Sequence, residues 1–224
     1  MGRVSGIAAA LLVFAGACTP TARTAAPAAE ACRAPSGTLT DVQGLAPTIR
    51  AELRYATSGN FTGAPLPGYD ADRALLRPAA AAALARVQAR LAEGGVGLKV
   101  WDAYRPVRAT RAMVEWAERS GNEWVLEQGY VARRSGHNTG GTVDLTLVRL
   151  GSGVELEMGT AYDDFNETAH TANAACAVAR NRRLLVTAMA AEGFDNYPKE
   201  WWHFSFGSGE HPPLDLPLGC FGLP

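Results

Sequence analysis

Apolar and polar residues follow two different periods along this chain, and each change of period marks an element. Over Gly141–Leu147 the alternation is strict, with Val143, Leu145 and Leu147 on one side and Thr142, Asp144 and Thr146 on the other. A period of two predicts a strand with one polar face. Pro78–Glu93 is rich in Ala and Leu, has Pro at its start and stops at Gly94-Gly95, the punctuation of a helix. Val96–Tyr104 is apolar and aromatic and predicts a second strand. Val107–Arg119 carries Val107, Met113, Val114, Trp116 and Ala117 at helical spacing, and a short helix is expected over Glu123–Gln128. Ala174–Glu192 predicts a long helix closed by Gly193, and Trp201–Phe206 a short aromatic strand. Helices and strands are mixed in order, so the expected fold class is α+β: a small, largely antiparallel sheet flanked by helices.

The first 36 residues break this pattern. Arg3 precedes an apolar run from Ile7 to Ala17, too short to span a bilayer, which takes about 20 residues. A positive start, a short apolar stretch and small residues at Ala15-Gly16-Ala17 read as an export signal over residues 1–17. Cys18 follows directly, in the place of the lipidated residue of a bacterial lipoprotein, although Ala15 stands where that signal usually has Leu. Residues 18–36 are rich in Ala, Thr and Pro without an apolar face, the composition of a flexible tether. The remaining domain, 37–224, is expected to function outside the cytoplasm, in the periplasm or cell envelope, with a lipid anchor if Cys18 is modified.

The chain has 224 residues, 47% of them hydrophobic, which is enough for one buried core. Its formal net charge is -1 with 19% charged residues, so no nucleic-acid partner is expected. There is no internal repeat, and oligomeric state is open. Of the four cysteines, Cys32, Cys176 and Cys220 lie beyond the lipoprotein-like Cys18. Three thiols in an oxidising compartment allow one disulfide and one odd cysteine. The connectivity is open; Cys176 with Cys220 is the preferred pair, because Cys32 lies in the tether. None has a close partner at metal-ligand spacing.

The chemistry concentrates in two stretches. Ser135-Gly136-His137-Asn138-Thr139-Gly140-Gly141-Thr142-Val143-Asp144 supplies an imidazole in a glycine-containing loop and a carboxylate on the polar strand face. Glu200-Trp201-Trp202-His203 supplies a second imidazole and a second carboxylate. His137, Asp144 and His203 form a plausible ligand set for one catalytic zinc ion, with the fourth position left to water. The metal lowers the pKa of that water toward neutrality, and a carboxylate beside it, Glu200, can take the proton. The Trp pair is expected to wall the site. Taken singly, each of these residues is more often a packed or surface side chain; the joint pattern points to the metal.

These residues also carry a resemblance. Ser135-x-His137-x2-Gly140-x3-Asp144 together with Glu200-Trp201-Trp202-His203 resembles the zinc D-alanyl-D-alanine dipeptidases of the vancomycin-resistance type, zinc DD-peptidases that share their fold with hedgehog signalling domains. Tyr55-Ala56-Thr57, Asn60-Phe61-Thr62-Gly63, Trp101-Asp102-x-Tyr104-Arg105-Pro106, Asp144-Leu145-Thr146-Leu147 and Asn181-Arg182-Arg183 resemble family segments in the same order, from about Leu53 to Phe204. The resemblance implies zinc bound by His137, Asp144 and His203, with Glu200 as general base. Arg105 would stabilise the oxyanion, although on its own it reads rather as a structural partner of Asp102. The implied substrate is a free dipeptide charged at both ends. Ser135 would help hold its carboxylate, and Tyr55 and Asp163 would receive its ammonium. Asp163 adjoins Asp164, and either could cap a turn. Two departures stand out: Gly136 replaces a small polar residue, and Gly141-Thr142 replaces small or apolar ones.

Three functions fit these features. The first is hydrolysis of D-Ala-D-Ala to two D-alanines. The second is a zinc DD- or LD-carboxypeptidase trimming peptidoglycan stem peptides, distinguished by whether Tyr55 and Asp163 close the ammonium end. The third is a non-catalytic, metal-binding envelope lipoprotein, which would need neither Glu200 nor Arg105.

Overall fold

A computed structural model of the chain describes residues 1–2, 32–207 and 211–222. The export-signal segment, Cys18 and most of the tether lie outside the described residues. Among the described residues there are seven strands: β1 Thr40–Asp41, β2 Arg50–Ala51, β3 Leu75–Leu76, β4 Val96–Asp102, β5 Thr142–Arg149, β6 Phe194–Asn196 and β7 His203–Phe206. Five α-helices accompany them: α1 Val42–Leu45, α2 Pro78–Ala92, α3 Val107–Ser120, α4 Trp124–Glu127 and α5 Cys176–Ala190. β1 and β3 form a small antiparallel pair. The main sheet has the order β2-β4-β5-β7-β6, antiparallel except for the β2–β4 pair. The expected α+β architecture and every long element are observed.

The apolar period explains the core. Helix α2 starts on Pro78, where a missing N–H costs nothing, and buries Ala80, Ala81, Leu84, Val87 and Leu91. It packs on β4 and α5, while α5 also meets β5. Val143, Leu145 and Leu147 are fully buried in that core. Gln88, the one polar residue on the buried side of α2, is used: its Oε1 accepts the backbone N–H of Leu98 at 2.8 Å.

The polar face of β5 is buried as well: Thr142, Asp144 and Thr146 are all nearly inaccessible, and the Tyr162 hydroxyl meets Asp144 there. One expectation about the elements is corrected. Trp201 and Trp202 do not belong to the last strand. They form the turn before β7, which starts at His203.

The disulfide expectation is also corrected. Cys32 pairs with Cys220, and Cys176 is an exposed free thiol at the start of α5. The tether's end does reach the C-terminal segment, where Ala34 N donates to Cys220 O at 2.9 Å. Closing a loop of 188 residues removes much denatured-state entropy, about 5 kcal/mol in the chain-entropy account. Cys32→Ser is therefore expected to lower unfolding free energy by about 2–5 kcal/mol in urea titrations. Cys176→Ser, at an exposed thiol, should stay within about 0.5 kcal/mol of the parent. The reverse ranking would support the Cys176 pairing.

Candidate metal centre and active site

Three adjacent strands align two of the metal-binding side chains with Asp102 in one row. Asp144 on β5 is directly opposite His203 on β7 and opposite Asp102 on β4. The second alignment depends on a bulge. Val100 pairs with Leu145 and Asp102 with Asp144, so Trp101 is the extra residue on β4. The bulge re-phases β4 and turns Asp102 toward the site, a common use of bulges beside active sites. His137 arrives from a 3₁₀ turn over Gly136–Thr139. Ser135 caps that turn: its Oγ accepts from His137 N at 3.3 Å, and Asn138 Oδ1 accepts from Ser135 N at 3.2 Å. The Asn138 amide, reaching Arg105 O and Thr110 Oγ1 at 2.9 Å each, ties the turn to the start of α3.

The donor atoms fit a tetrahedral ion. His137 Nε2 is 3.4 Å from His203 Nδ1 and 3.3 Å from Asp144 Oδ1, which is 2.9 Å from His203 Nδ1. Zinc bonds of about 2.0–2.1 Å at tetrahedral angles put ligand atoms about 3.3–3.4 Å apart. The protonation pattern fits as well. His137 Nδ1 faces two acceptors, Ala103 O at 2.7 Å and Asp102 Oδ2 at 3.2 Å. It therefore carries the proton and leaves Nε2 as a bare lone pair, the arrangement that outer partners impose on a ligating histidine. Asp144 Oδ1 is buried with no hydrogen-bond donor. Burial pushes Asp144 up, but His137 and His203 outweigh it and hold the carboxyl ionised. Burial lowers His203 below the ordinary imidazole range, favouring the neutral, ligating form, although Asp144 opposes this. Two imidazoles and one carboxylate in this arrangement are the ligands of a catalytic zinc site.

Glu200 lies at the edge of the triangle. The loop between β6 and β7 places it three residues before His203, and Asn196 Nδ2 fixes that loop by donating to Glu200 O at 3.1 Å and His203 O at 3.0 Å. Glu200 Oε2 is 3.6 Å from His203 Nδ1, and Oε1 is buried without a donor. Burial first, then Asp144 and Asp163, hold the Glu200 carboxyl well above the usual range, with Arg105 opposing. A carboxylate poised in this way is suited to taking up a proton.

Arg105 satisfies both of its readings. Its Nε and Nη2 bind Asp102 Oδ2 at 2.9 and 2.7 Å, so the structural ion pair exists. The same guanidinium lies 3.8 Å from Asp144 Oδ2 and lines the cavity, and its Nη1 meets the weak acceptor Met113 Sδ. One arm of the fork thus remains for an incoming oxygen. Of the Trp pair, only Trp202 walls the cavity. Trp201 packs behind it on Trp101, its indole N–H donating to Thr160 Oγ1 at 2.8 Å.

The cavity measures about 240 Å³ and is lined by every predicted site residue, including Ser135, Tyr55 and Asp163. The Tyr55 hydroxyl donates to Asp163, 3.1 Å from both carboxylate oxygens. Asp164 instead accepts from Asn166 at the surface. Asp163 adopts a left-handed backbone, φ 61°, a conformation that costs energy in a non-glycine residue and clusters at functional sites. Partial burial and Asp144 push its carboxyl up. The two departures noted in the sequence touch each other: a Cβ added at Gly136 would overlap Thr142 Oγ1. The Thr142 hydroxyl in turn pairs with Ser205 Oγ at 3.0 Å.

Sequence reasoning missed three contributors. Asp102 entered only as a partner for Arg105, yet it also reaches His137 and accepts from Tyr69 at 2.5 Å. The bulge hid it from any period-two reading. Tyr162 donates to Asp144 Oδ2 at 2.8 Å and carried no signal in the sequence. Arg182 is buried and donates to Met158 O, His170 O and Thr168 O, clamping the segment that carries Tyr162 and Asp163. The sequence marked it only as part of the family-like Asn181-Arg182-Arg183 segment, without a role.

A His–Asp–His triangle with a glutamate at its edge defines the class of metal-dependent hydrolases. Residues 36–218 match the Peptidase_M15 family, D-ala-D-ala dipeptidase. The D-alanyl-D-alanine dipeptidase of Streptomyces coelicolor is 38% identical over 200 residues, covering 82% of this chain and 99% of the relative. That of Enterococcus faecium is 36% identical over 187 residues, 76% and 93% of the two chains. That of Escherichia coli is 34% identical over 189 residues, 83% and 94% of the two. The chain belongs to the D-ala-D-ala dipeptidase family of metallopeptidases.

Two measurements test this geometry. Because the Glu200 pKa is raised in the fold, its contribution favours folding below the ordinary glutamate range and is lost as pH rises through the raised value. Glu200→Gln removes that loss, so the chelator-treated variant should unfold at higher urea than the parent near neutral pH, with the gap closing below about pH 4. A variant less stable than its parent at neutral pH would contradict the burial of an ionisable group there. Gly136→Ala should cost about 1–3 kcal/mol by overpacking. Adding Thr142→Ala should recover most of it, a coupling that a urea-titration double-mutant cycle reads. Strict additivity would show that the two positions do not share this space.

Proposed function

We propose that this protein is an exported zinc dipeptidase that hydrolyses D-Ala-D-Ala to two D-alanines in the cell envelope. The observation carrying the reading is the closed ammonium end. Tyr55 and Asp163 are bonded to each other across one end of a cavity of about 240 Å³, below the 300–1,000 Å³ typical of drug-sized ligands. A space of this size suits a dipeptide better than a pentapeptide. The names of the relatives, each a D-alanyl-D-alanine dipeptidase, support the same substrate. Glu200 and Arg105 argue against a purely metal-binding role, because binding alone requires neither.

Zinc, held by His137, Asp144 and His203, would lower the pKa of a water toward neutrality and polarise the scissile carbonyl. The chain's own groups do the rest. Glu200, with one oxygen lacking any donor, accepts the proton of the attacking water and returns it to the leaving amine. Arg105, oriented by Asp102, directs Nη1 at the oxygen that gains charge. Asp163 receives the substrate ammonium beside the Tyr55 hydroxyl, and Ser135 lies where the carboxylate ends. Requiring both charged ends at once rejects longer peptides, since a missing end leaves a buried group unpaired.

Export rests on the Arg3–Ala17 segment and Cys18, and the Cys32–Cys220 disulfide supports it, since such bonds persist in oxidising compartments. An exported enzyme meets dipeptide released by peptidoglycan turnover, which favours nutrient recovery or wall remodelling. The purified, zinc-loaded protein should cleave D-Ala-D-Ala, leave its L,L isomer and a D-Ala-D-Ala-ended pentapeptide intact, and lose turnover with a chelator. Glu200→Ala should retain zinc and lose turnover by about 10²–10⁴-fold. Pentapeptide cleavage would establish the carboxypeptidase reading instead.

A further inference from the structure

Asp144 offers its two oxygens to different environments. Oδ1 faces His137 Nε2 and His203 Nδ1 at 3.3 and 2.9 Å and has no hydrogen-bond donor. Oδ2 accepts one hydrogen bond, from the Tyr162 hydroxyl at 2.8 Å. Arg105 Nη2, at 3.8 Å, is too far to provide another. Among the described residues, the orientation of this carboxylate therefore depends on one phenol.

That phenol is itself held firmly. Its ring stacks on Trp101, centroids 4.9 Å apart and planes 30° apart, and meets Trp202 edge-on at 5.6 Å. The left-handed backbone of the next residue lets Tyr162 reach Asp144 while Asp163 reaches Tyr55. Arg182 fixes both flanks of the segment through Met158 O, Thr168 O and His170 O. Tyr162 has one proton to give at neutral pH. Given to the ionised Asp144, it leaves none for the Tyr55 oxygen 3.0 Å away, whose own proton goes to Asp163.

We propose that Tyr162 is a positioning residue for the metal site: its hydroxyl holds Asp144 Oδ2 so that Oδ1 points at the two imidazoles as a single-oxygen ligand. Without that bond the carboxylate turns about its last torsion, toward Arg105 or into two-oxygen contact with the cation. Either rotation departs from the ligand triangle that β5, β7 and the 3₁₀ turn provide. The Tyr162 ring also packs against that of Tyr55, centroids 5.9 Å apart, beside the Tyr55–Asp163 bond. The assignment rests on the zinc-dipeptidase reading for its catalytic consequence and on geometry alone for its effect on metal affinity.

Tyr162→Phe removes the hydroxyl and keeps the ring stacked on Trp101. In the full chain, Zn(II) affinity measured by competition with a chromophoric chelator should fall about 10–100-fold, the usual effect of deleting a partner of a metal ligand. The metal-free variant should still unfold cooperatively, its melting temperature lowered by only about a few degrees for the unpaired Oδ2, so that it stays folded at the assay temperature and unfolding cannot account for the loss. At saturating Zn(II), kcat on D-Ala-D-Ala should fall more than KM rises. Tyr55→Phe, which removes the neighbouring hydroxyl but not the bond to Asp144, should leave Zn(II) affinity within about threefold, well short of the Tyr162→Phe loss. Equal Zn(II) affinity in Tyr162→Phe and parent overturns the proposal, as does an equal loss in both variants. If the affinity gap appears and D-Ala-D-Ala is not cleaved even by the parent, the positioning role stands and the substrate assignment fails.

Discussion

Buried negative charge is the constraint from which the rest of this structure follows. Asp102, Asp144 and Glu200 are each no more than 5% exposed and lie within one site. Arg105 is the guanidinium among them, and two of its nitrogens are committed to Asp102. Asp144 Oδ1 and Glu200 Oε1 are left without a donor. Ionised carboxylates in such a place are expensive unless paired or bound to a metal. A divalent cation between His137, Asp144 and His203 supplies the missing positive charge, so the metal completes the fold's electrostatics as well as its chemistry. The same imbalance leaves Glu200 inclined to bind a proton, which is the property a general base needs.

Labour is divided between rigid and irregular backbone. The sheet carries Asp144 and His203 on paired strands, where register fixes their separation. The 3₁₀ turn, the β6–β7 loop and the segment from Met158 to His170 carry His137, Glu200 and Asp163, and each is fastened by a dedicated side chain: Asn138, Asn196 and Arg182. Irregular segments can approach a ligand from directions that strands cannot, but they hold catalytic geometry only when their backbone groups are bonded elsewhere. The aromatic wall of Trp101, Tyr162 and Trp202 closes the remaining side, and one of its members uses its polar tip on the metal ligand.

On the proposed reading, the small cavity and the Tyr55–Asp163 hydrogen bond beside it account for so small a substrate. Tyr55 is nearly inaccessible, and its bond to Asp163 lines the same cavity as Ser135. On that reading, discrimination comes from the Asp163 carboxylate, which a peptide without a free ammonium in reach leaves unpaired, and such sites reject strongly. Gly136 and Thr142 illustrate the same economy of space: the missing side chain at one position makes room for the hydroxyl at the other.

Much of this was legible in the order of residues. Alternation over Gly141–Leu147 predicted β5, Pro78 and Gly94-Gly95 bounded α2, and the donors His137, Asp144, Glu200 and His203 announced themselves by type and spacing. These signals are local, since periodicity, capping and donor chemistry are properties of a few neighbouring residues. What only the tertiary structure decided is non-local. The bulge at Trp101 brought Asp102 to His137, the disulfide joined Cys32 to Cys220 rather than Cys176, and a left-handed Asp163 turned Tyr162 onto Asp144. Those outcomes depend on which strands pair, in which register, and on what covers them, and no stretch of sequence contains that information before the chain has folded.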